Sequence, residues 1–102
     1  MLTRAEFHVL LVLLDGPRHG YGIMQDVKAL TDGDLRLGPG TLYTAVKRLL
    51  DAGLLQECEP DAERRRCYRL TRKGKGAAGE EAERLSVTVR AARKRGLLPS
   101  AS

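Results

Sequence analysis

The chain has 102 residues, 42% of them hydrophobic, and a formal net charge of +5. That length fits one compact domain with a small core, of the kind oligomerisation often completes. The longest apolar run, Val9 to Leu14, is far too short to cross a bilayer, so a membrane partner is not expected. Two cysteines and no secretory signal point to a reducing cytoplasm, and the basic balance suggests a polyanionic partner.

Thr3-Arg4-Ala5-Glu6 reads as a capping box that opens a first helix. The helix is expected to run to about Asp15, with Gly16-Pro17 ending it. It is apolar on nearly every side, more than one small domain needs, so part of it is expected to meet a second copy. Phe7, Leu10 and Leu14 are the candidates for that contact. His19-Gly20-Tyr21-Gly22 opens a second helix with Ile23, Met24, Val27 and Leu30 on its apolar face. Thr31 to Asp34 is a turn cluster, and Leu35-Arg36-Leu37 alternates like a very short strand.

The third helix organises the rest. Pro39 suits its first turn, and Gly53 suits a left-handed cap at its end. Leu42, Ala45, Val46, Leu49 and Leu50 form one apolar stripe. The opposite face carries Thr41, Thr44, Lys47 and Arg48, hydroxyls and cations suited to a nucleic-acid groove, and Gly38-Pro39-Gly40 at the helix start is expected to hold a DNA phosphate. Leu54–Glu59 and Arg66–Thr71 then read as two strands joined by a polar loop ending in Arg64, Arg65 and Arg66, candidate contacts to DNA backbone or minor groove.

Thr71 can cap a last helix, weak at first because of Gly74, Gly76 and Gly79. Further on, Ala78, Ala82, Leu85, Val89 and Ala92 repeat at four- and three-residue spacing, the seam of a coiled coil. Gly96 and Pro99 stop it. The fold class is mainly α with a small β-hairpin: a winged helix-turn-helix over residues 1–71, a C-terminal dimerisation helix over 72–96, and a flexible tail over 97–102. The dimer interface is expected at Phe7, Leu10, Leu14, Ala82, Leu85, Val89 and Ala92.

His19-Gly20-Tyr21-Gly22-Ile23, Gly38-Pro39-Gly40-Thr41-Leu42-Tyr43, Leu49 to Leu55 and Arg66 to Gly74 resemble the PadR family of transcriptional regulators. The resemblance runs from about Leu2 to Gly76 and implies a homodimer that binds double-stranded DNA and represses transcription. It also implies release of the DNA by a small, often aromatic, effector at the dimer interface, and it supports a phosphate contact for Tyr43. Tyr21 reads first as a core residue whose hydroxyl can reach DNA backbone. The last helix has no aromatic residue, and the chain has no Trp, one Phe and three Tyr. Phe7 and His8 are therefore the effector candidates.

Cys58 and Cys67 fall on facing strands, read as plain fillers with a redox switch as the sharper alternative. They and the two histidines lack metal-ligand spacing, so no metal or other cofactor is expected. No nucleophile has a base at motif spacing, and no phosphate-binding glycine loop follows a strand, which argues against an enzyme. The alternative to a DNA-binding repressor is a winged-helix module that binds protein without DNA.

Overall fold

The computed structural model describes residues 1–99. Four helices and a three-stranded antiparallel sheet follow in the order α1 (Arg4–Leu13), β1 (Arg18–His19), α2 (Gly20–Leu30), α3 (Pro39–Asp51), β2 (Leu55–Cys58), β3 (Cys67–Leu70) and α4 (Arg72–Lys94). The sheet order is β1-β3-β2, so β3 is central and β2 is an edge. This is a winged helix-turn-helix, as the sequence implied. Residues 100–102, the end of the expected tail, lie outside the described residues.

The capping box is present. The Thr3 hydroxyl accepts the Glu6 N–H at 3.1 Å, and the Glu6 carboxylate accepts the Thr3 N–H at 2.9 Å. α1 lies at the centre of the domain, against α2, α3, α4 and β3. Its apolar surplus is therefore absorbed largely within the chain. Leu10 is fully buried and has no surface to offer a second copy, which removes it from the expected dimer contact. Phe7 is half-buried and Leu14 is exposed.

The expected strand at Leu35–Leu37 is not formed. Its alternation is real, but both leucines anchor the loop between α2 and α3 to the core while Arg36 stays outside. The Thr31 hydroxyl braces that loop by donating to the Val27 carbonyl at 2.9 Å and accepting the Leu35 N–H at 3.0 Å. The third strand is instead Arg18–His19, paired with Tyr68 and Cys67 of β3. Two residues are too few to carry a readable period of two.

α3 ends as expected. Gly53 has φ of 75°, and its N–H and that of Leu54 return to the carbonyls of Leu50 and Leu49 at 3.0 and 2.9 Å. The glycines of α4 differ from one another. A Cβ on Gly74 would stand 2.1 Å from the Leu54 carbonyl oxygen, whereas one on Gly76 would meet nothing within 4 Å. Helix propensity is given up at Gly74 so that α4 can lie against the start of β2. We therefore expect Gly74→Ala to destabilise the fold by about 1–3 kcal/mol. Gly76→Ala should stabilise it by about 0.5–1 kcal/mol. Denaturant unfolding of the two variants checks both signs; equal effects would show that the close approach is not a constraint.

Candidate nucleic-acid interface

Leu42, Ala45, Val46 and Leu49 bury the back of α3. At 100° per residue, the residues outside that buried stripe divide into three strips. Gly40, Thr44, Lys47 and Asp51 form the centre of the front, opposite the buried stripe. Tyr43 and Leu50 lie on one flank, towards β3 and the wing. Thr41 and Arg48 lie on the other flank, towards α1. The single cationic front read from the sequence is thus narrower than expected.

Lys47 is within 3.6 Å of Asp51, an exposed pair that leaves the ammonium free to exchange partners. Arg48 has turned aside: its guanidinium is 3.8 Å from the buried carboxylate of Glu6. Glu6 therefore caps α1 and also faces a cation of α3, a double duty the capping-box signal did not reveal. At the start of α3, Gly38 offers no side-chain cap and Pro39 has no N–H. The amides of Gly40 and Thr41 are left at the positive end of the helix dipole, an arrangement that attracts anions.

Tyr43 is half-exposed and rests on the first residue of α2. A Cβ on Gly20 would lie 2.4 Å from the Tyr43 hydroxyl oxygen, so only glycine leaves that seat open. Nothing in the spacing of the two residues announced this contact. Next to it, Tyr43, Val46, Lys47, Leu50, Asp51, Arg66 and Tyr68 line a hollow of about 320 Å³ between α3 and the sheet. Burial pushes the Tyr68 phenol above its ordinary pKa, Arg66 acts in the opposite sense, and Tyr43 and Glu57 reinforce the rise. Tyr21, expected first in the core, is 61% exposed.

The three wing arginines separate in role. Arg65 closes the turn: its side chain donates to the Asp61 carboxylate at 2.7 Å, and its N–H and that of Glu63 donate to the same carboxylate at 3.0 and 2.9 Å. Arg66 stands 4.0 Å from Glu57 on the neighbouring strand. Arg64, in left-handed conformation with φ of 61°, has no side-chain partner among the described residues.

Cys58 and Cys67 are register partners across β2 and β3 and are joined as a disulfide, with Cα atoms 5.2 Å apart. They are thus not plain fillers. Among the described residues no cluster of His, Cys, Asp or Glu could hold a metal ion, and no helix is long and apolar enough to cross a membrane.

The remaining candidates lie away from α3. His8 Nδ1 donates to the Arg4 carbonyl at 2.7 Å, and its ring meets Phe7 edge-on with centroids 5.8 Å apart. On α4, Gly74, Ala78 and Glu81 are buried against the domain. The face they define continues into Ala82, Leu85 and Val89, which are exposed, and Ala92, which is half-buried.

A three-helix domain with a short wing and an exposed polar front on its third helix belongs to the winged-helix class of transcriptional regulators. Residues 9–80 match the PadR-like family of transcriptional regulators, and the chain belongs to that family. Its members regulate transcription and are not enzymes. The chain is 42% identical over 65 residues to the transcriptional activator GvpE2 of Halobacterium salinarum, covering 64% of this chain and 32% of that protein. It is 37% identical over 82 residues to an uncharacterised 37.1 kDa protein of transposon Tn4556 from Streptomyces fradiae, covering 80% of this chain and 23% of that protein. The chain thus spans about a quarter to a third of the length of these two relatives. Among solved structures, a transcriptional regulator of Clostridium thermocellum, Cth-833, superposes with a TM-score of 0.78 at 27% identity, covering 87% of this chain and 89% of that one.

The Asp61 carboxyl is held below its ordinary pKa of 3.8, first by the Arg65 backbone N–H, against a smaller opposing effect of desolvation. A lowered folded-state value means that the carboxylate supports the turn above that ordinary value and loses this support as pH falls through the lowered one. Protection of the Glu63 and Arg65 amides, taken relative to the unstructured-chain exchange rate at each pH, should therefore fall in acid. Asp61→Asn should remove that acid dependence. Identical acid profiles in the two proteins would assign the turn's stability elsewhere.

Proposed function

We propose that the protein is a homodimeric, sequence-specific DNA-binding regulator that represses transcription by lying across promoter DNA. The observation that carries this reading is the front of α3. Gly40, Thr44 and Lys47 are exposed on a helix whose back is locked in the core, with Thr41 and Arg48 at one edge and Tyr43 at the other. In this reading α3 enters the major groove. Thr44 and Lys47 meet base edges or phosphates, Tyr43 and Tyr21 offer hydroxyls to the backbone, and Arg64 reaches the adjacent backbone or minor groove. Arg66 supports the approach from the hollow beside α3, and Arg65 holds the wing in shape. A protein with this chemistry works where the DNA is, in the cytoplasm.

Dimerisation is supported by the overhang of α4. Its 23 residues extend about 34 Å, and the face that packs on the domain at Ala78 continues past it with Leu85 44% exposed and Val89 38% exposed. An equivalent helix from a second copy would cover that face, helped by Phe7 and Leu14 of α1. The DNA-binding part, residues 1–71, and the dimerisation helix, 72–96, then divide by role rather than by a gap in packing, since Ala78 and Glu81 are buried. Two copies related by a two-fold axis would read half-sites about one helical turn apart. The Phe7–His8 pair, on the helix next to that axis, would line a small effector site. Activation in place of repression is a second reading, favoured by the name of the 42% identical relative, a transcriptional activator.

Affinity for a fragment of the protein's own promoter should fall steeply as salt rises, through counterion release. Lys47→Ala should cost about tenfold in affinity, with the dimer intact. Arg48→Ala should cost less in binding, because Arg48 already faces Glu6. Full affinity in Lys47→Ala would show that this strip does not read DNA. No binding by the parent protein even at low salt would favour a protein-binding module. Leu85→Asp should convert the dimer to monomer in sedimentation; an unchanged dimer would reject the seam.

A further inference from the structure

We propose that the Cys58–Cys67 pair is a site of reversible thiol–disulfide modification whose state sets the order of the wing and, through it, affinity for DNA. The inference rests on the DNA-binding reading for its last step only. Cys58 is the final residue of edge strand β2, and Cys67 is the first residue of central strand β3. β3 is held on both sides, by β1 and by β2, whereas β2 has a neighbour on one side only. The bond therefore ties the less secured strand end to the more secured one. It also closes a ring around the whole wing loop, including Asp61, Arg64 and Arg65, with nine positions separating the two cysteines.

Apart from the backbone pairing, the ties across this end of the hairpin are weak. Arg66 and Glu57 are 4.0 Å apart and both exposed. The Asp61 turn organises the loop internally but does not fasten it to the sheet. With the bond open, β2 can fray from Cys58, and the loop that carries Arg64 is no longer held at a fixed place on the sheet. Both cysteines are half-buried, within reach of a small thiol or disulfide. In a reducing compartment a persistent disulfide is uncommon, and an accessible one is characteristically transient or redox-sensing.

The exchange partner is a low-molecular-weight disulfide. The thiolate of one cysteine attacks a sulfur of that disulfide, forms a mixed disulfide and expels one small thiolate. The thiolate of the other cysteine attacks the protein sulfur of the mixed bond, forms Cys58–Cys67 and expels the second small thiolate. The protein loses two electrons and two protons; the small disulfide becomes two small thiols. An excess of small thiol runs the same steps backwards.

The test equilibrates the full chain with mixtures of reduced and oxidised glutathione and counts free thiols by mass after alkylation. Both states should be populated as the ratio is varied. A disulfide that persists in a large excess of reduced glutathione is a fixed staple, and one that never forms in excess oxidised glutathione is no site; either overturns the proposal. Amide exchange over residues 59–66 should be about tenfold faster in the dithiol, and equal exchange would overturn the coupling to the wing. The disulfide form should bind promoter DNA about five- to tenfold more tightly than the dithiol. Cys58→Ser/Cys67→Ser should match the dithiol under both conditions. Equal binding by both forms would overturn the link to DNA. Redox-dependent thiol counts and exchange with no DNA binding by either form would instead reject the DNA-binding reading and leave the modification site standing.

Discussion

The carbonyl of Leu54 is where the structure is tied together. It accepts the Thr71 N–H at 3.1 Å, lies 3.0 Å from the Thr71 hydroxyl, and faces the bare Cα of Gly74. The same hydroxyl is 2.7 Å from the Gly53 carbonyl and accepts the Gly74 N–H at 3.0 Å, capping α4. Lys73 adds a bond to the Ala52 carbonyl at 2.9 Å. The end of the third helix, the start of one strand, the end of another and the start of the last helix therefore meet within a few residues. Backbone groups that would otherwise be orphaned at two helix termini are satisfied together. The orientation of α3 relative to α4 follows from this joint.

Much of the scaffold was legible because its signals are local. A capping box, a proline at a helix start, a glycine in a left-handed cap and a 3.6-residue stripe each depend on residues within a turn of one another. They located α1, α2 and α3 to within a residue or two. The Leu35–Leu37 alternation misled for a physical reason: a loop that dips into a core twice shows the same pattern as a strand. Arg18–His19 escaped because a two-residue strand is defined by its partner, not by its own sequence. Gly74 looked like a helix-weakening residue, and only its neighbour Leu54, distant in sequence, gives it a purpose.

The polar face of α3 was legible in kind but not in detail. Residue types on α3 identified a polar, cationic front, yet the flanks were assigned by tertiary neighbours. Glu6 draws Arg48 to one side, Gly20 receives Tyr43 on the other, and Lys47 and Thr44 keep the middle. In the wing, three successive arginines looked equivalent. Asp61 and Glu57 separate them into a brace, a strand-side pair and a cation without a side-chain partner among the described residues. The acidic neighbours give two of these arginines different partners, which three identical side chains in a row do not reveal.

If two copies pair as proposed, the joint at Leu54 sets the spacing of their third helices. In the proposed dimer, the stretch of α4 from Thr71 to Leu85 is a rigid rod welded to the end of α3. Each residue along it advances the helix by about 1.5 Å and turns it by about 100°. The distance and relative twist between two recognition helices are then written in the length of that rod, not in any residue that touches DNA. Adding or removing one residue between Glu81 and Leu85 would turn the dimer face by about 100° against the domain and put the two readers out of phase with the double helix, without touching any residue on the front of α3.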